Sequence, residues 1–99
     1  MSSILHTINQ SPFEHKALEQ CLTLFQDGDA IMLFGNGVYA ALRNHPMRDA
    51  LVHKPCYAIE MDLAARGLFQ QPLMDHIQFV GYERFVELST EYDLVQSWY

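Results

Sequence analysis

Asp29 to Phe34 reads as one continuous apolar strand, and the run Ala30-Ile31-Met32-Leu33-Phe34 has no polar position to turn toward water. A strand with one wet face alternates; a strand without alternation needs cover on both faces, as the inner strands of parallel sheets have. This segment therefore sets the terms for the rest of the chain, which must supply neighbouring strands at its edges and helices above and below.

The flanking sequence offers them. Ile4-Leu5-His6-Thr7-Ile8 is short and rich in β-branched residues, and Asn9-Gln10-Ser11-Pro12 then breaks it, so a strand and a turn are predicted. Ser11 as N-cap, Pro12 at the first helical position and Glu14 three residues after the cap predict a helix from Pro12 to Phe25, ending at Gln26-Asp27-Gly28. After the apolar strand, Gly35-Asn36-Gly37 turns the chain into a second helix, Val38 to about Arg43. Asn44-His45-Pro46 interrupts it, and Met47 to Val52 makes further turns that Lys54-Pro55 closes. Cys56 to Ile59 is the third strand, Met61 to Arg66 a short helix capped by Gly67, and His76 to Val80 the fourth strand. Tyr82 to about Glu91 is a helix, and Leu94 to Trp98 a fifth strand or a docked tail. Strands alternating with helices at this pitch predict an α/β layer fold with a mainly parallel sheet.

The chain has 99 residues, enough for one core and hence one domain over 1–99. Twelve acidic against six basic residues give a net charge of −6, the wrong sign for neutralising phosphates, so direct contact with nucleic acid is not expected. The longest apolar run is far short of the roughly 18 residues a membrane span needs. The start Met1-Ser2-Ser3-Ile4 lacks the basic residues of a leader, so the expected location is cytoplasmic.

Few residues offer chemistry. Gly35-Asn36-Gly37-Val38-Tyr39-Ala40 has the form G-x-G-x-x-A after a buried strand, with Glu60 after the next strand where a ribose-binding acid would stand. It reads either as a dinucleotide-binding turn or as a plain tight turn whose glycines permit φ > 0. His6, His15, His45, His53 and His76 include no pair at metal-ligand spacing, and no metal or cofactor is expected. His6, inside a strand, reads as a hydrogen-bonded histidine at a sheet edge or subunit contact, and Asp62 with Arg66 as a solvated i, i+4 pair. Tyr82, Tyr92, Trp98 and Tyr99 gather toward the C-terminus, where aromatics suit an interface. Cysteine is the remaining nucleophile. Cys56 falls in a buried strand. Cys21 lies near the middle of a helical arc holding Phe13, Ala17, Leu18, Leu22, Leu24 and Phe25, which makes it either a core thiol or one at the floor of a partly covered cleft.

A set of short strings spans nearly the whole chain: Leu5-His6-Thr7, Asn9-x-Ser11-Pro12-Phe13, Gly37-Val38-Tyr39-Ala40-Ala41, Tyr57-Ala58, Asp62-Leu63-x-Ala65-Arg66-Gly67, Phe85-Val86-Glu87-Leu88 and Val95-Gln96-Ser97-Trp98. In this the sequence resembles the DsrH/TusB family of sulfur-relay proteins. The stretch Asn44 to Lys54 carries none of the likeness. The resemblance implies a DsrE/F-like three-layer α/β/α sandwich with a four- or five-stranded, mainly parallel sheet. It further implies an accessory subunit, without cofactor, in a 2:2:2 heterohexamer with two homologous sister subunits of the DsrE/DsrF or TusD/TusC type. Such complexes pass persulfide sulfur to a carrier of the DsrC/TusE type, for 2-thiolation of the tRNA wobble uridine or for intracellular sulfur oxidation. The main sulfur-carrying cysteine belongs to a sister subunit. Dsr-branch proteins carry a cysteine on the first helix where Leu18-Glu19-Gln20-Cys21-Leu22 stands here, while many TusB proteins lack one, so the resemblance implies the Dsr type or a TusB that kept the thiol, with Cys21 as the candidate catalytic residue of this chain.

Overall fold

The computed structural model describes residues 3–99; Met1-Ser2, the start of the segment that lacks leader-like basic residues, lies outside them. Five strands, β1 (Ile4–Ile8), β2 (Ala30–Leu33), β3 (Cys56–Ile59), β4 (Gln78–Val80) and β5 (Leu94–Trp98), form one sheet in the order β4-β3-β2-β1-β5. Every pairing is parallel. The apolar strand β2 sits at the centre with all four residues buried, and Leu94 to Trp98 is a true strand, in register with Ile4 to Ile8.

Four α-helices cover the sheet: α1 (Ala17–Leu24), α2 (Arg48–Leu51), α3 (Glu60–Ala65) and α4 (Tyr82–Glu91). From β1 to β4 the chain steps along the sheet in one direction, and crossovers of one hand then fall on one face. Leu18 and Cys21 of α1, Leu51 of α2 and Leu63 of α3 accordingly share a core with Ile8, Ile31, Leu33 and Ala58. The return from β4 to β5 reverses direction and carries α4 to the other face. There Leu88 packs with Leu5, Ala30, Met32 and Ile59. The result is the expected three-layer sandwich.

Two helices differ from the sequence expectation. Ser11 does cap, its Oγ accepting from Phe13 N at 3.2 Å while its carbonyl accepts from Glu14 N and His15 N, but this yields a single turn. Glu14, His15 and Lys16 are exposed, and the helix starts afresh at Ala17, where Ala17, Leu18 and Cys21 reach the sheet. A short helix persists where it has a face to bury. The second expected helix is instead a 3-10 helix, Gly35–Ala41, in which Val38 and Ala41 are both buried; the three-residue repeat stacks them on one side. Gly37 lies so close to the end of β1 that a Cβ there would stand 2.0 Å from the Ile8 carbonyl oxygen. The fourth strand is also shorter than expected, beginning at Gln78.

Candidate functional site

Cys21 projects from α1 into the core, wholly buried. Burial pushes its thiol up to about 12, and the nearby Asp29 carboxylate pushes in the same direction. Cys56 on β3 is also buried and is driven higher still, by burial and then by Cys21. Both are free thiols. A reactive cysteine needs a cation or a base beside it to form thiolate, whereas Cys21 has a negative neighbour and, among the described residues, no hydrogen-bond partner.

The core beside Cys21 holds a chain of three polar groups. His6 and Asp29, 1% and 2% exposed, meet at 2.9 Å between Nε2 and Oδ2. The Trp98 indole N–H reaches His6 Nδ1 at 3.0 Å. An indole only donates, so Nδ1 is the acceptor and Nε2 carries the proton that His6 donates to Asp29. The carboxylate also accepts from Ile4 N at 3.0 Å and Gln26 N at 3.1 Å. Burial alone would raise the Asp29 carboxyl, but the bonds from His6, Gln26 and Ile4 together outweigh it and hold the group below its ordinary value. An Asp–His pair resembles two-thirds of a hydrolytic triad. Here the third position is a donor, so the imidazole lone pair is already used and no nucleophile is deprotonated.

His6 therefore sits neither at an edge nor at an exposed contact. The network ties the last strand to the first, and the Thr7 and Ser97 hydroxyls pair alongside at 3.2 Å. Sequence reasoning missed Asp29 as a functional partner. The available signal was a carboxylate at the head of an apolar strand and an imidazole inside another, since buried polar groups require each other.

A second network lies past the carboxyl ends of the strands, where α/β folds bind ligands. Asp62 Oδ2 accepts from Gly35 N and from the Tyr82 hydroxyl, each at 2.8 Å. Arg66 donates through Nε to Asn36 Oδ1 and through Nη1 to the Asp62 carbonyl, each at 3.0 Å. Asp62 and Arg66 are thus a half-buried clamp on the Gly35-Asn36-Gly37 turn, which corrects the expectation of a solvated pair. Its hydrogen bond to Asp62 raises the Tyr82 phenol above its ordinary value.

That clamp corrects the dinucleotide reading of the turn as well. Gly35 N, at φ +53°, is taken by a carboxylate that would repel a phosphate, and Gly37 N bonds the Phe34 carbonyl. Gly37 serves close packing on Ile8, and it belongs to a 3-10 helix, which lacks the extended dipole of an α-helix. Glu60 is exposed at the start of α3. Among the described residues no three His, Cys, Asp or Glu side chains converge as a metal set, and no helix is long and apolar enough to cross a membrane. Of the C-terminal aromatics, Tyr82 and Tyr99 are exposed while Tyr92 and Trp98 are half-buried.

Comparison with known proteins places this geometry. The model of the DsrH-like protein family matches residues 10–95. The chain is 35% identical to the protein TusB of Pectobacterium carotovorum subsp. carotovorum (strain PC1) over 99 residues, covering 96% of this chain and all of that one. It is likewise 35% identical over 97 residues to TusB of Enterobacter sp. (strain 638), with the same coverage. Among solved structures, the ychN protein from E. coli superposes with a TM-score of 0.82 at 20% identity, over 98% of this chain and 99% of that one. Tm0979 from Thermotoga maritima superposes with a TM-score of 0.63 at 22% identity, over 89% and 92%. The two structures share the fold; the sequence matches, which run nearly end to end, go further, and by them the chain belongs to the DsrH-like family.

Proposed function

We propose that the chain, one domain over residues 1–99, is an accessory subunit of a cytoplasmic sulfur relay. In this reading it assembles with two homologous sister subunits, two copies of each, and a sister subunit carries the persulfide that passes to a DsrC/TusE-type carrier. Membership of the family supports the relay. The full-length likeness to TusB proteins supports the branch that ends in 2-thiolation of the tRNA wobble uridine over the branch of sulfur oxidation.

The observation that carries the accessory role is the state of Cys21: a buried thiol, beside a carboxylate whose imidazole partner has its lone pair occupied. Taking up sulfur at Cys21 requires α1 to lift from the sheet, and Leu22 and Phe25, half-buried against the same core, would move with it. The test is coexpression with the sister subunits, followed by persulfide loading and transfer to the carrier. A complex of 2:2:2 composition is expected, with Cys21 unreactive to iodoacetamide until unfolding and Cys21→Ala transferring sulfur within twofold of the parent. Rapid native alkylation of Cys21, with transfer abolished in Cys21→Ser, would instead make Cys21 the sulfur acceptor of this chain. A stable monomer indifferent to both sisters would defeat the assembly itself.

A further inference from the structure

The charges of this acidic chain are segregated. Residues 43–54 hold three of its six basic residues, Arg43, Arg48 and Lys54, and one of its twelve acids, Asp49. This segment is net +2 while the rest is net −8.

The structure folds the segment against residues 72–76. Arg43 N donates to the Pro72 carbonyl at 2.9 Å and Met74 N to the Ala41 carbonyl at 2.8 Å, and Leu42 and Leu73 form an antiparallel bridge. This backbone clasp fixes a cavity of about 180 Å³ lined by Arg43, Arg48, Val52, Met74, Asp75 and His76, several times the ~30 Å³ share of one water molecule. Three features of its wall point the same way. Arg43 Nη2 is held by the Leu73 carbonyl at 3.2 Å and by Asp75 Oδ1 at 3.3 Å, and the Asp75 side chain is 95% exposed, so it neutralises the guanidinium only weakly. The Arg48 side chain makes no ion pair among the described residues. Burial first, and the Arg48 charge with it, hold the neighbouring His45 imidazole below its ordinary value. His76 Nε2 is buried without a hydrogen-bond partner among the described residues, a polar atom that the fold itself leaves unsatisfied.

We propose that this cavity is a binding site for a small tetrahedral oxyanion, of the phosphate or sulfate class, held by Arg43 and Arg48 beside His76. Guanidinium groups match the oxygen spacing of such ions and bind them through paired donors. The surrounding surface, short of cations everywhere else, directs an anion to this end of the molecule. The site is independent of the sulfur-relay reading and lies apart from both networks described above.

The test is titration of the full-length chain with inorganic phosphate, followed by calorimetry and by the resonances of His76 and the arginine side chains, with sodium chloride at matched ionic strength as the reference. Saturable binding is expected for phosphate and, in competition, for sulfate. Arg48→Gln, at an exposed position with no partner to lose, should keep the parent melting temperature and weaken binding at least tenfold. His76→Gln should weaken it at least threefold. A linear response equal to that of chloride overturns the proposal, as does binding by Arg48→Gln within twofold of the parent. Binding of a single-stranded oligonucleotide at this patch without any saturable response to phosphate also overturns it, in favour of a nucleic-acid surface.

Discussion

The two faces of the sheet are built to different depths. On one, the 3-10 helix and α1 to α3 bury fifteen residues in a continuous core; on the other, α4 alone encloses five. The deep face also holds both cysteines and the His6–Asp29–Trp98 chain, whereas the shallow face leaves Val86 and Val95 in solvent at 65% and 47% exposure. The tight packing of the deep face fixes every donor and acceptor of that chain, whereas on the shallow face the one buried polar side chain among the described residues, Thr7, meets a single hydroxyl, that of Ser97. The difference shows where the chain's stability resides and where it has surface to spare.

Mutations on the two faces should separate accordingly. Among the largest effects is that of Gly37→Ala, where a new methyl meets backbone that cannot turn aside; a loss of about 3 kcal/mol or more is expected by chemical denaturation. Ile31→Ala and Leu88→Ala both empty a fully buried position, and such truncations cost about 2–5 kcal/mol. Ile31 should fall at the upper end and Leu88 at the lower, because the half-exposed Phe34, Phe85 and Tyr92 around Leu88 can close the gap. Equal costs would erase the distinction between the faces.

Trp98→Phe removes the indole N–H together with one ring of the bicycle, and the unpaired His6 Nδ1 alone should cost about 1–3 kcal/mol. The same network gives the deep face an acid dependence. Because the folded state lowers the Asp29 carboxyl, its contribution is complete above the unfolded value, near 3.8, and is lost as pH falls through the lower folded value. Asp29→Asn should flatten that part of a stability-against-pH curve, and an unchanged acid limb would show that other carboxylates govern it. At the small end, Val86→Ser on the outer side of α4 should shift stability by less than about 0.5 kcal/mol.

The sequence showed most of the fold wherever local signals and packing agree. β1, β3, the helix Tyr82–Glu91 and the strand Leu94–Trp98 stand where apolar runs and breakers put them. Disagreement arose where a local signal had nothing to bury, as at Ser11-Pro12, or where tertiary contact imposed a tighter helix, as at Gly35–Ala41. The site was less legible for a different reason. Cys21 could be named from its helix, but the partners that determine its chemistry are distant in sequence: Asp29 joins His6 across 23 positions and Trp98 joins it across 92. Nothing in a helical wheel reports such pairs.

The strand order has a consequence for how the chain is made. β1 lies inside the sheet, yet one of its two neighbours is β5, with Ile4 opposite Leu94. At ribosomal speeds of about 5–20 residues per second, β1 waits on the order of 5–20 s with one edge unpaired. Throughout that interval the His6 imidazole lacks its indole donor and the row of backbone groups from Ile4 to Ile8 is open to any passing strand. Contacts this remote in sequence also slow folding once the chain is free. Completion of the sheet is therefore a late event of biosynthesis, and a ribosome stalled before Leu94 would hold a nascent chain in which β1 is still an adhesive edge.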